Sequence, residues 1–285
     1  MLVIPDEGAR TNAAGGPSRR AEGHAGRLDL VRPNAARMYD YYLGGSANVA
    51  VDRAAADELI QALPDTVFCA RANRSFLGRA VRYLAERGID QFLDLGSGIP
   101  TVGNVHEVAH QVNPEARVAY VDIEPVAVSY AQRLLQDEKL ATITKADIRK
   151  PETVLTAPGV AELLDFTRPV AVLTVAILHA MSEADRPREF LAEYRTACAS
   201  GSALAISHLS PQTWQPQEVI ASEKVYARTP TPVVYREHDE IARFMAGYQL
   251  VEPGLVLLPK WRPTDPTSEA DAARSNSYGA VGILA

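Results

Sequence analysis

The residues with the clearest chemistry lie in FLDLGSGIP, positions 92–100. Phe92, Leu93 and Leu95 have the character of a buried strand end, and Asp94 interrupts them. Gly96-Ser97-Gly98 then makes a tight turn, and 101–112 has the pattern of a helix. A strand, a glycine turn and a helix start form a site for a nucleotide-like ligand. Glycine lets the backbone come close, and the helix start offers free N–H groups. Asp122 ends the next apolar stretch, close to the roughly 20 residues past the glycines at which a carboxylate meets ribose hydroxyls. The plain alternative is an ordinary strand–turn–helix with Asp122 as a solvated strand-end acid. Asp94 sharpens the choice of ligand. A carboxylate there suits a cationic, amine-bearing molecule and repels a diphosphate. The dinucleotide fingerprint G-x-G-x-x-G also lacks its third glycine, because Thr101 holds that position.

Histidines give three further candidates. His106 and His110 fit H-E-x-x-H, whose spacing puts both rings on one helical face as zinc ligands. No third ligand is apparent, and the apolar stripe of Val102, Val105, Ala109 and Val112 leaves both rings on the flank, so no metal is expected. His179 and His208 follow the fourth and fifth strands, where ligands of open α/β sheets bind. Either is a candidate general base, with packing or capping as the alternative for each. On the first helix, Tyr39 and Tyr42 are candidate ligand contacts, or simply a packed aromatic face. Asn73 and Arg74 are candidates for a ligand carboxylate, which a guanidinium pairs well. Arg74 as a plain surface charge is the competing reading.

The elements that would position these groups follow from pattern and punctuation. Pro33 opens a helix that Gly44-Gly45 closes. Asn48 caps a second to about Ala62, and Asp65 caps a third to Arg87, with Val67, Phe68, Leu77, Val81 and Leu84 on one face. Strands are expected near 91–95, 117–122, 141–146, 169–175 and 202–208, with helices near 101–112, 125–138, 151–164 and 183–198. Such alternation implies a parallel sheet covered on both faces. A proline-rich insertion with Trp214, Tyr226 and Tyr235 spans 210–237 around a short helix. A helix at 238–247 and strands at 250–258 and 277–284 follow, the strands forming an antiparallel hairpin at a sheet edge.

Composition bounds the classes. The chain has 285 residues with 47% hydrophobic content, enough for one large domain or a domain with a cap. Net charge is −6 with no long basic run, which gives no support for sequence-wide attraction to nucleic acid or anionic membrane and leaves a local basic patch open. Two cysteines, Cys69 and Cys198, make no disulfide framework and suit a reducing cytoplasm. The N-terminus lacks a secretory pattern, and the longest apolar run, 170–181, is far short of the roughly 20 residues a bilayer span needs. The oligomeric state is not readable.

In this order the motifs resemble the class I S-adenosylmethionine-dependent methyltransferases, and within them a bacterial family long catalogued as a domain of unknown function. The resemblance is carried by RMYDYYLGGSAN, ARANRSFLGRAVRYLA, DLGSGIPTVGNVHEVA, YVDIEPVAV and SNSYGAVG and covers about 34–282. Pro100 departs from it, standing where many members have a third glycine. The resemblance implies a Rossmann-like, doubly wound, mainly parallel sheet with a C-terminal antiparallel hairpin and an N-terminal helical cap. The expected organisation is an arm at 1–30, a cap at 31–88 and a methyltransferase domain at 89–285. It also implies S-adenosylmethionine as cofactor, held by Asp94, Gly96, Gly98 and Asp122, with Asp147 on the adenine side; Ser97, Ile123, Ile148, Ala176 and Arg74 are further expected cofactor contacts. Tyr39, Tyr42, Trp214 and Tyr235 are expected around a small-molecule acceptor. A catalytically silent cofactor-binding protein and a nicotinamide oxidoreductase are the alternatives.

Overall fold

The computed structural model describes residues 29–100 and 103–285. The arm expected at 1–30 lies outside the described residues except for its last two positions, as does the start of the helix expected at Thr101. The strands are β1 (Gln91–Leu95), β2 (Arg117–Asp122), β3 (Ala141–Lys145), β4 (Ala171–Val175), β5 (Ala203–Leu209), β6 (Tyr248–Leu250), β7 (Val256–Leu257) and β8 (Ser277–Leu284). They form one sheet in the order β3-β2-β1-β4-β5-β8-β6, with β7 also pairing β8. The first five are parallel, and β8 runs antiparallel to β5, β6 and β7. Chain direction across the sheet reverses between β1 and β4, and a crevice opens beyond their carboxyl ends. This is where open α/β sheets bind ligands.

The helices are α1 (Ala35–Tyr42), α2 (Ala50–Ala62), α3 (Thr66–Glu86), α4 (Val105–His110), α5 (Pro125–Leu134), α6 (Pro151–Leu155), α7 (Pro158–Ala161), α8 (Pro187–Ala197), α9 (Pro216–Tyr226), α10 (His238–Ala242) and α11 (Glu269–Ala273). Strand alternation sorts the core. Phe92, Val118 and Leu173 pack on one face with Phe76, Val81, Leu84 and Trp261, while Leu93, Leu95, Val121 and Val172 pack on the other with Phe190 and Tyr194. A third cluster joins α1, α2 and α9 through Met38, Tyr42, Leu59, Leu63 and Val225. Among the described residues no helix is long and apolar enough to cross a membrane.

Four expected elements differ. The helix at 151–164 is two short helices, because Pro158 has no N–H to continue the first and starts the second. The helix at 183–198 breaks at Arg186, whose φ is 51°, and Pro187 restarts it. The strand at 250–258 is two pieces, β6 and β7, separated by Pro253-Gly254. Asn48 does not cap α2. Asp52 accepts the Val49 N–H at 2.9 Å, the Arg37 Nε–H at 2.6 Å and the Asn34 N–H at 2.9 Å. That buried pair ties α1 to α2 and accounts for the Arg in RMYDYY. The neighbouring Asp40 accepts the Ala47 N–H at 2.8 Å and folds the glycine turn back.

Candidate functional site

At the end of β1 the chain turns through Gly96, φ 77°, and Gly98, φ 65°. A Cβ on Gly96 would lie 2.4 Å from Ile177 Cγ1, whereas one on Gly98 would meet nothing within 4 Å. The Gly96 and Ser97 N–H groups donate to the Val121 carbonyl at 2.8 and 3.2 Å, which fixes the turn on β2. Asp122, at the end of β2, accepts the Gly98 N–H at 2.7 Å and the Glu124 N–H at 2.8 Å. Each oxygen thus accepts at least one backbone N–H. Burial raises its pKa, and those two backbone bonds oppose the rise. Asp94 is buried beside it. Desolvation pushes its carboxyl up to about 7, the Arg74 charge pulls it down and Asp122 adds to the rise. Asp147, past β3, accepts Arg149 Nη2–H at 2.8 Å, and Arg149 also donates to Asp185 at 2.6 Å. These Arg149 bonds hold the Asp147 carboxyl below its ordinary range.

Asn73 does not point at a free ligand group. Its Oδ1 accepts from Ser207 Oγ at 2.6 Å, Ser207 Oγ accepts the Ala176 N–H at 2.8 Å, and Asn73 Nδ2 donates to Tyr39 Oη at 2.8 Å. Tyr39 then donates to the Ala70 carbonyl at 3.1 Å. This chain crosses from β4 through β5 and α3 to α1, and it holds Ala176 at φ 59°, a region that side-chain-bearing residues seldom adopt.

The two histidines at the strand ends stand 5.7 Å apart, edge to face. His208 Nε2 lies 3.0 Å from Arg236 Nη1, which can only donate, and Nδ1 lies 2.7 Å from the Leu209 carbonyl, which can only accept. The ring is therefore the neutral Nδ1–H tautomer, with both nitrogens engaged. Burial, then the neighbouring His179, drives its pKa down to about 3. His179 is also held neutral, at about 4, by burial and by the Arg236 charge, and its buried Nδ1 has no hydrogen-bond partner. His106 and His110 are committed elsewhere. His106 Nδ1 pairs with Tyr120 Oη at 2.7 Å and His110 Nε2 with the Ala116 carbonyl at 2.9 Å. Among the described residues no group of three metal-ligating side chains forms.

One cavity of about 610 Å³ collects Asp94, Gly96, Ser97, Gly98, Asp122, Ile123, Asp147, Ile148, Ala176, Arg74, His179, His208, Tyr39, Tyr42 and Trp214. Tyr235 is not in its wall. It stands behind, edge-on to Trp214 at 5.5 Å and hydrogen-bonded to Ser222. The cap and the insertion both supply wall, and an ion pair from Arg228 to Glu58 joins them at 2.6 Å.

The family model of the S-adenosyl methyltransferases matches residues 21–285. The chain belongs to that family. The methyltransferase is 38% identical to a Thermobifida fusca YX protein described as a methyltransferase, covering 90% of this chain and 97% of that one, with a TM-score of 0.84. It is 37% identical to a DUF574 family protein of Streptomyces avermitilis MA-4680, covering 91% and 100%, with a TM-score of 0.83. A Bordetella parapertussis protein, 17% identical over 89% and 80% with a TM-score of 0.53, shares the fold. No protein of curated function matches the chain.

The cofactor of the methyltransferase is S-adenosylmethionine, and the residues present fit it. Arg74 Nε and Ser97 Oγ are buried in the cavity wall without partners, which is costly unless a ligand completes them. Next to them lie the acids Asp94, Asp122 and Asp147. Sequence reading missed Arg236. The guanidinium is buried and donates to the Leu178 and Met181 carbonyls, at 3.1 and 2.8 Å, and to Glu183 at 2.9 Å. No sequence pattern marks it, since its partners come from two segments distant from it in the chain, 178–183 and His208.

Proposed function

We propose that the enzyme holds S-adenosylmethionine along the ends of β1, β2 and β3 and methylates a small organic acceptor under the cap. The observation carrying this reading is the division of one cavity into two halves. Charged groups line the strand-end half, and aromatic and aliphatic groups from α1, α2 and the insertion line the other. Asp122 is assigned to the ribose hydroxyls and Asp147 to the adenine edge, flanked by Ile123 and Ile148. Asp94 and Arg74 are assigned to the ammonium and carboxylate of the amino-acid end, with Ser97 beside them. When bound, the cofactor supplies an electrophilic methyl group that needs no further activation.

Positioning is therefore the main task of the protein, and oriented reactants gain much of their rate from it. The Ala176–Ser207–Asn73–Tyr39 chain fixes the strand ends against the cap. His179 is the group assigned to the acceptor proton, because the Nε2 lone pair of His208 is already taken by Arg236. Calorimetry with S-adenosylhomocysteine and with NADH tests the cofactor half. The expected result is one S-adenosylhomocysteine per chain and no NADH heat, and the reverse would remove the reading. A crystal structure with S-adenosylhomocysteine tests the acceptor half. A thioether sulfur facing solvent, away from Tyr42 and Trp214, would remove the small acceptor.

A further inference from the structure

Charge is distributed unevenly in the cavity wall. Every Asp, Glu, Arg and Lys side chain that lines it, namely Arg74, Asp94, Asp122, Glu124, Asp147, Arg149 and Asp185, lies on α3, at the ends of β1 to β3, or on the turn before α8. Among the described residues the remaining wall carries none. It includes Tyr42, Leu59 and Leu63 from the cap, Trp214, Tyr226 and the 230–233 loop from the insertion, and His179 and Met181 beyond β4. Arg236, which contacts His208 Nε2 and does not itself line the cavity, is paired with Glu183. Its polar side chains are neutral, and among the described residues two of them carry a buried atom with no partner, the Tyr42 hydroxyl and His179 Nδ1.

Resting on the methyltransferase reading, we infer that the acceptor is an uncharged, flat aromatic molecule with a hydroxyl group, in chemical terms a small phenol. A carboxylate or ammonium in this half would lose its hydration with no countercharge to replace it, which buried charges do not tolerate. A flat ring finds the edges and faces of Tyr42, Trp214 and Tyr226, and aromatic rings prefer such contacts. A hydroxyl finds the His179 ring, held neutral by its surroundings and so able to accept a hydrogen bond at ordinary pH. Pockets for small ligands have this make-up of apolar wall with a few placed polar groups.

The probes are 2-naphthol, 2-naphthoate and 2-naphthylmethylamine, titrated by calorimetry at pH 7.5 into full-length protein saturated with S-adenosylhomocysteine. Their ring systems are the same, and their substituents are neutral, anionic and cationic in turn. The expected result is binding of the naphthol at least tenfold tighter than of either charged probe. The Val233→Lys variant then places a cation in the loop wall and is expected to shift the preference toward the naphthoate by at least tenfold. Equal or tighter binding of a charged probe to the wild-type protein overturns the inference, as does no binding of the naphthol. S-adenosylhomocysteine is titrated alone first. Its failure to bind removes the methyltransferase reading itself, and its binding with the wrong probe preference removes only the phenol.

Discussion

Asp122 and Asp94 are adjacent carboxylates with different work to do, and each can be tested alone. Asp122, held by the Gly98 and Glu124 N–H groups, lines the cavity. Hydrogen bonds to a charged group contribute about 1.5–3 kcal/mol, so Asp122→Asn is expected to weaken S-adenosylhomocysteine binding by about 10- to 100-fold. The amide keeps the shape of the side chain but can accept only one of the two backbone bonds, so thermal unfolding of the variant is measured alongside to separate loop disruption from the lost ribose contact. Asp147→Asn should cost less, because Arg149 already occupies much of that carboxylate. Calorimetry on both variants decides it, and wild-type affinity in Asp122→Asn would remove the ribose assignment. Asp94 adds a pH signature. Its carboxyl titrates near 7 without ligand, and a bound ammonium needs it ionised. Affinity should therefore fall about tenfold per unit below pH 7, with proton release on binding, and fall again above about 8 as the α-amino group loses its proton. In Asp94→Asn the acid limb should vanish, and an unchanged acid limb would point to another group. Stability of the ligand-free protein runs the other way. A folded-state pKa above the unfolded value means that the Asp94 contribution falls as pH rises from about 4 through 7.

At the scale of elements, the glycine turn separates two kinds of requirement. Gly96 needs both its positive φ and its missing Cβ, since Ile177 stands 2.4 Å from where the carbon would be. Gly98 needs only the φ. Gly98→Ala should cost about 1–2 kcal/mol of stability, and Gly96→Ala distinctly more, with the turn pushed off β2. Urea unfolding of both variants measures the difference, and equal losses would contradict the Ile177 contact. The turn was legible in the sequence because it is local: strand, acid, glycines and helix lie within a dozen residues. So were the parallel strands, whose apolar runs sit between punctuating Gly and Pro. The two helices that split were misread because Pro158 and Pro187 were passed over as interior residues, whereas each begins a new element. The Asn73–Ser207 bond joins residues 134 apart, and nothing in either neighbourhood signals the other. The commitment of His208 to Arg236 was hidden for the same reason, so the two histidines looked equivalent in sequence and are not.

For the whole molecule, the question is how a cap of short helices stays ordered over a ligand site. The 8 residues of α1 are fewer than the roughly 12–15 that hold a helix by themselves. Its order depends on ties to other parts: Arg37 to Asp52 on α2, Tyr39 to Asn73 on α3, and Asn34 Nδ2 to Glu124 at 2.9 Å. Two of those anchors sit beside assigned ligand groups, Asn73 next to Arg74 and Glu124 two residues past Asp122. A ligand that stiffens Arg74 and the Asp122 loop thus stiffens α1, and through their shared apolar cluster α2 and α9 as well. Weakly held lids of this kind sit at the low end of a protein's stability range and close when the site fills. Hydrogen exchange with and without S-adenosylhomocysteine measures the coupling. Amides of α1, α2 and α9 should slow on binding along with Gly98 and Glu124, while β4 and β5, already in the centre of the sheet, change little. The Glu124→Ala variant, which removes the tie to Asn34 Nδ2 and leaves the Asn34 cap on the Arg37 N–H in place, should lose much of the protection that the ligand adds in α1. Protection confined to the ends of β1 to β3, with α1 and α9 exchanging as before, would mean that the cap is a fixed wall whose order does not depend on the cofactor.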